Sequence, residues 1–285
     1  MRPWHGVLVA TAVPFREGDG AVDIDRYAEH VRWLTDNGCD GVVPNGSLGE
    51  YQVLTAVERE AVMRAAVQAG AKAVVPGVAA YGAIEARTWA EKAGEAGCQA
   101  VMLLPPNAYR ADEAAVLAHY REVAKAGLPI VAYNNPHDTK VDLTPAVLAR
   151  LHAEGLIMAV KEFSGDVRRA YEIAELAPEL DLLVGADDVL LELLAAGAVG
   201  WIAGFPNSLP RLCMELYEKR DQALYRLLHP LLRWDSRTEF VQAIKLSMDL
   251  AGRYGGPCRP PRLPLGGEAE AAVRLATTRA MEAVL

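Results

Sequence analysis

Short apolar runs recur along the chain, with amphipathic segments between them. The runs cover residues 7–13, 41–44, 73–78, 100–104, 130–133, 157–160, 182–184 and 199–202. Most start about 25 to 32 residues apart, the length of one strand, one helix and their loops, and the last gap is shorter. None alternates strictly between apolar and polar, which predicts strands buried on both faces, as parallel strands are. The segments between them carry helix signals. Residues 23–37 place Ile24, Tyr27, Val31 and Leu34 on one helical face, and Gly38 supplies a stop. Residues 55–69 open with the capping-box pattern Thr55-Ala56-Val57-Glu58 and end at Gly70. Residues 112–126 end at Gly127, and Thr144-Pro145 starts a helix with proline at its first position.

Eight strand-helix units in succession predict an α/β chain folded as a (β/α)8 TIM barrel. A doubly wound open sheet is the alternative. No G-x-G-x-x-G follows the first run, which removes its commonest nucleotide-binding form. Beyond Ile202 the alternation stops. Residues 209–232 and 237–250 read as helices, 258–264 as an extended proline-rich connector and 268–284 as a final helix. The expected organisation is a single domain over 1–285, with the barrel in 1–220 and a C-terminal helical appendage in 221–285.

Composition narrows the class. The 285 residues are 52% hydrophobic and 23% charged, as soluble globular chains are, and the net charge is -8. That balance disfavours a nucleic-acid partner. Cys39, Cys98, Cys213 and Cys258 are far apart, with no C-x-x-C, so they read as free thiols rather than zinc ligands. The six histidines form no ligand-spaced pair on a helix face, and no P-loop pattern is present. The apolar stretch 189–205 carries Glu192 and three glycines, so a buried helix and strand fit it better than a membrane span. The start lacks a signal peptide's apolar core, and the cytoplasm is the expected location.

Candidate chemistry gathers at predicted strand ends, the active-site face of a barrel. Lys161 ends the sixth run. At a buried strand mouth, desolvation lowers an amine's pKa and makes it a nucleophile for carbonyl carbons. The plain alternative is a lysine snorkelling to solvent. Tyr133 ends the neighbouring fifth run, where a phenol can relay protons for that amine or simply satisfy a backbone carbonyl. Gly46-Ser47-Leu48-Gly49-Glu50 follows the second run. Its glycines suit a tight turn that presents N–H groups and the Ser47 hydroxyl to a carboxylate. Glu50 reads as an orienting residue rather than a catalytic acid. Asp187-Asp188 suggests a metal or, preferably, helix capping. A lysine holding pyridoxal phosphate stays open.

Taken together, these residues resemble the dihydrodipicolinate synthase/N-acetylneuraminate lyase family over nearly the whole chain. The matching parts are Thr11-Ala12-Val13-Pro14-Phe15, Gly46-Ser47-Leu48-Gly49-Glu50, Tyr133-Asn134-Asn135-Pro136, Val160-Lys161-Glu162 and Gly185-Ala186-Asp187-Asp188. The resemblance implies a class I aldolase-type barrel in which Lys161 forms a Schiff base with a 2-keto acid and Tyr133 relays protons. It further implies that Ser47 and Leu48 hold the substrate carboxylate and that the Ile202 carbonyl lies near it. A homotetramer without metal or organic cofactor is implied as well.

Three departures argue against the lysine-biosynthetic reaction. Leu48 stands where the synthases carry a second relay threonine. The relay tyrosine is expected around Pro106-Asn107, where the nearest tyrosine is Tyr109. Asp138 stands where an arginine grips the aldehyde substrate's carboxylate, and its charge repels that anion. Arg259-Pro260-Pro261-Arg262-Leu263-Pro264-Leu265, Gly200-Trp201-Ile202-Ala203-Gly204 and the two loop motifs instead resemble the subgroup that deaminates 1-pyrroline-4-hydroxy-2-carboxylate. The rivals are a pyruvate-dependent aldolase, dihydrodipicolinate synthase itself, a 2-keto-3-deoxy sugar-acid dehydratase and a non-catalytic keto-acid-binding barrel.

Overall fold

The computed structural model describes residues 2–283. Its strands are β1 (Gly6–Ala10), β2 (Gly41–Val43), β3 (Val101–Leu103), β4 (Ile130–Asn134), β5 (Ala159–Glu162), β6 (Asp181–Val184) and β7 (Gly200–Ala203). They pair in parallel in the order β2-β1-β7-β6-β5-β4-β3. The predicted run 73–78 closes the ring between β2 and β3 through parallel bridges Val42↔Val74 and Gly77↔Met102. Val42 N donates to Ala73 O at 2.8 Å, and Met102 N donates to Pro76 O at 2.9 Å. Pro76 has no N–H to give, so this stave pairs at separate bridges instead of a continuous ladder. The result is the (β/α)8 barrel that the run spacing predicts.

The helices start where their caps dictate. Asp23 accepts from Arg26 N ahead of Ile24–Asp36, and Thr55 and Glu58 form the reciprocal capping box ahead of Ala56–Gln68. Asp112 caps Glu113–Ala124, and Thr144 caps Pro145–Ala153. One prediction is corrected. Residues 209–232 are two helices, Pro210–Lys219 and Gln222–Leu232. Arg220 turns left-handed at φ 52 and Asp221 caps the next helix by accepting from Leu224 N at 2.7 Å. A continuous apolar stripe hid that break. The last helix is Gly267–Glu282, and its predicted end at residue 284 lies outside the described residues.

The chain beyond β7 is bound tightly to the barrel. The Ser247 hydroxyl meets Ser208 Oγ at 2.9 Å and Thr277 Oγ1 at 3.2 Å, all three buried. This hydroxyl chain joins the end of β7's loop to helices Phe240–Leu250 and Gly267–Glu282. Lys245, 2% exposed, donates to Glu50 Oε1 at 2.7 Å, and Arg259 N donates to Glu50 Oε2 at 3.1 Å. Glu50 thus orients its loop, as its position after Gly49 suggests. The segment 233–239, between Gln222–Leu232 and Phe240–Leu250, then crosses the barrel mouth.

Candidate active site

Tyr133 and Lys161 are direct partners in the parallel pairing of β4 with β5. Side chains alternate along a strand, so these two share one face while Asn134 and Glu162 share the other. On the outer face, Asn134 Nδ2 donates to Glu162 Oε2 at 3.0 Å and Asn134 Oδ1 accepts from Leu143 N at 2.9 Å. Glu162 also accepts from Ser164 N at 2.6 Å. These bonds lock the strand ends from behind. The apolar run 157–160 understates β5, because Lys161 and Glu162 are buried polar residues that continue the strand.

On the inner face, Lys161 Nζ sits 4.3 Å from the Tyr133 ring centroid and 5.6 Å from that of Phe163. Lys161 is only 6% exposed, which rules out the snorkelling alternative. Burial lowers its pKa, and the carboxyls of Asp235 and Asp187 oppose that shift. Burial likewise raises the Tyr133 phenol above its ordinary range. The Tyr133 hydroxyl accepts from Asn135 Nδ2 at 3.2 Å. Asn135 in turn caps the short helix Pro136–Thr139.

All five residues singled out from the sequence line one cavity of 540 Å³: Lys161, Tyr133, Ser47, Leu48 and Ile202. That volume suits a small molecule. The loop after β2 differs in detail from its sequence reading. The left-handed residues are Asn45 (φ 57) and Glu50 (φ 52), not the glycines. Gly49 serves a close approach instead, since a Cβ there would lie 3.1 Å from Thr11 O. The main-chain N–H groups of Ser47 and Leu48 find no acceptor among the described residues, so they are free to bind an anion.

Three features of the cavity escaped the sequence. Tyr51 lines it, as does Asn107, whereas Tyr109 is 61% exposed and does not line it. Arg237 and Arg262 line it near Asp138, and neither has a carboxylate partner among the described residues. Their guanidinium groups stack on Trp234 at 4.4 Å and on Phe240 at 5.3 Å. The third is Asp235. It reaches the cavity from the crossing segment, 8% exposed, and burial raises its carboxyl well above the usual range.

Asp187-Asp188, read as helix caps, do something else. Asp187 is fully buried and accepts from Trp201 Nε1 at 2.8 Å, Gly204 N at 3.2 Å and Phe205 N at 3.4 Å. Burial outweighs these donors, and Asp235 nearby adds to it, so the Asp187 carboxyl is also raised. Asp188 accepts from Ser236 Oγ at 2.9 Å, which ties the crossing segment to the end of β6. Among the described residues, no group of three His, Cys, Asp or Glu side chains is placed to hold a metal. None of the described helices is long and apolar enough to cross a membrane.

A parallel barrel with a buried lysine and tyrosine on one rung of its mouth defines the architectural class. The chain belongs to the dihydrodipicolinate synthetase family, whose family model matches residues 3–280. It is 34% identical over 286 residues to the 4-hydroxy-tetrahydrodipicolinate synthase of Methanothrix thermoacetophila, covering 97% of each chain. A DapA-like lyase of Halobacterium salinarum is 31% identical over 279 residues, covering 94% of this chain and 91% of that one. Among solved structures, dihydrodipicolinate synthase from Aquifex aeolicus superposes with a TM-score of 0.91 at 27% identity, over 97% and 98% of the two chains. YagE, a family member from E. coli K12 solved in complex with pyruvate, gives 0.88 at 26% identity, over 97% and 98%. Enzymes of this family are lyases that use a lysine Schiff base with pyruvate and no external cofactor.

Proposed function

We propose that this chain is a Schiff-base lyase in which Lys161 attacks the carbon next to the carboxylate of a small 2-keto or cyclic imino acid. The observation that carries this reading is the Lys161 amine itself. It is buried, lowered in pKa, set beside Tyr133 and open to a cavity of substrate size. Ser47 and Leu48 offer N–H groups for the carboxylate, and Ile202 lines the same space. Tyr133 is the proton relay. Assembly as a homotetramer is part of the proposal, by resemblance to the family.

Within that class we favour 1-pyrroline-4-hydroxy-2-carboxylate. Addition of the Lys161 amine to its C=N bond and opening of the ring would leave a Schiff base at C2 and a primary amine at C5. Loss of a C3 proton then lets the 4-hydroxyl depart as water. Loss of a C5 proton, reprotonation at C3 and tautomerisation turn the resulting C3=C4 alkene into a C5 imine. Hydrolysis of that imine and of the Schiff base takes up two waters and releases ammonia and 2-oxoglutarate semialdehyde. One water leaves and two enter, so the net reaction consumes one. This substrate brings a single carboxylate, which suits a cavity whose rim carries Asp138.

The synthase reaction is the second reading. It is favoured by the names of relatives at 34% identity and by Arg237 and Arg262, which could hold a second carboxylate where Asp138 does not. Trapping with pyruvate and borohydride tests the class. A kinetic screen of keto acids and imino acids, with ammonia release as one readout, tests the substrate. A chain that binds keto acids but is never trapped would be a binding barrel instead.

A further inference from the structure

Among the described residues the buried Asp235 carboxyl has no side-chain partner of the kind that Asp187, Asp188 and Glu50 have, and the Asp187 backbone N–H lies beside it. Its Oδ1 lies beside Gly204, where an added Cβ would stand 2.9 Å from it and 3.6 Å from Asp187 Oδ2. Two carboxyl oxygens therefore approach the same point of the cavity wall. The backbone of Gly204 is in the ordinary right-handed region (φ -91), so glycine is needed there for room, not for its dihedral freedom. Asp235 also faces Lys161 across the cavity, close enough to raise that amine's pKa, yet the two form no direct ion pair. Both line the same cavity.

Burial penalises a charge on either group. It outweighs the attraction between the Lys161 amine and the Asp235 carboxyl, and the carboxyl is raised to about 7, so part of its population carries a proton near neutral pH. Asp235 raises Asp187 in turn, while the Asp187 backbone N–H lies beside the Asp235 carboxyl and lowers it. Asp188 raises the Asp235 carboxyl through like charge, and Tyr133, Tyr51, His137, Asp138, Lys140 and Arg262 are the other titratable groups of the cavity. Arg237, two residues on, turns away onto Trp234 at 4.4 Å.

We infer that Asp235 is a catalytic acid of this site, donating its proton to the oxygen that leaves when Lys161 forms its Schiff base. This rests on the Schiff-base reading above. When the Lys161 amine adds to a 2-keto acid, a carbinolamine forms at the former carbonyl carbon. Its C–O bond then breaks, and the electron pair leaves with the oxygen. That oxygen takes the Asp235 proton and departs as water, while the nitrogen lone pair closes the C=N bond. The carboxylate left behind faces the new iminium cation and balances it. Hydrolysis runs the same step backwards, with Asp235 as the base. The 4-hydroxyl of an imino-acid substrate is a second leaving oxygen that the same acid would serve.

The test is the rate of borohydride-trapped labelling of Lys161 by pyruvate, followed across pH in the wild type, Asp235→Asn and Asp235→Glu. The wild-type rate should rise with pH as Lys161 loses its proton and fall again as Asp235 loses its own, the two limbs belonging to the coupled pair. Asp235→Asn keeps the shape of the side chain. It should label roughly 10²–10⁴-fold more slowly, the usual worth of a positioned acid, and should lack the alkaline fall. Asp235→Glu should restore part of the rate and the alkaline limb. Labelling of Asp235→Asn must still reach one pyruvate per chain after long incubation, which shows an intact site. A wild-type rate or an unchanged pH profile in Asp235→Asn overturns the acid role. Failure of that variant to label at all does so too, since Asp235 would then be needed for the site's integrity. Absence of labelling in the wild type overturns the Schiff-base reading, and this inference with it.

Discussion

Tyr133 and Lys161 stand opposite each other in the β4–β5 pairing, with the Lys161 amine 4.3 Å from the centre of the Tyr133 ring. The strands fix this spacing before any ligand arrives. The ring packs against the amine, whose burial lowers its pKa.

Lys161→Ala should abolish trapping by pyruvate and borohydride. Lys161→Arg should do the same, since a guanidinium stays protonated and cannot attack. In the wild type, the neutral amine fraction grows as pH rises through the Lys161 pKa. Burial lowers that pKa, so labelling should be rapid well below about pH 10.4, where an ordinary lysine titrates. Peptide mass spectrometry reads both results, and a label that persists in Lys161→Ala would move the nucleophile elsewhere.

Tyr133→Phe should reduce kcat roughly 10²–10⁴-fold while changing pyruvate affinity little. The phenol makes one hydrogen bond to the protein, from Asn135 Nδ2 at 3.2 Å, so the ring should stay in place without it. An unaltered kcat would show that water or another group carries the proton.

The imino acid should be turned over with a higher kcat/KM than pyruvate with aspartate semialdehyde. Leu48 and Asp138 oppose the synthase reaction by separate routes, one through the relay and one through charge. Side-by-side kinetics decide this. Efficient condensation would instead point to Arg237 and Arg262 as the second carboxylate's site, and Arg237→Ala with Arg262→Ala would then raise KM for the semialdehyde.

Lys245→Met should destabilise the protein by about 3–5 kcal/mol, because Glu50 would be left charged and buried without its partner. Adding Glu50→Gln should recover part of that loss. Urea melts of the three variants measure it, and equal stability of Lys245→Met and wild type would show that Glu50 has found another donor.

How much of this was legible in the sequence depended on whether a residue's surroundings were local. The spacing of apolar runs and the caps at Thr55 and Asp112 carry their own signals, and the barrel followed from them. Lys161, Tyr133 and Ser47 sit at strand ends, where a buried run stops and chemistry starts. Asp235 lies in an aperiodic stretch between helices, and nothing near it in sequence points to β5. Only the packing of helices 222–232 and 240–250 against the barrel carries it to the cavity. Asp187 was misread for the same reason. Its donors come from Trp201, Gly204 and Phe205, beyond a whole helix. The glycines of the loop after β2 suit a tight turn, but its left-handed positions are Asn45 and Glu50, and Glu50 carries no such signal in the sequence.

The crossing segment 233–239 belongs to no strand of the wall, yet it brings Asp235, Ser236, Arg237 and Thr238 to the cavity. Lys161 and the segment that frames the cavity therefore stand on different elements, joined through the Asp188–Ser236 bond. The wall can be held constant while the arch over it is rewritten. A swap of residues 236–239 between barrels of this kind, with Asp235 and Lys161 left where they stand, is then a way to transplant a preference for one acid over another.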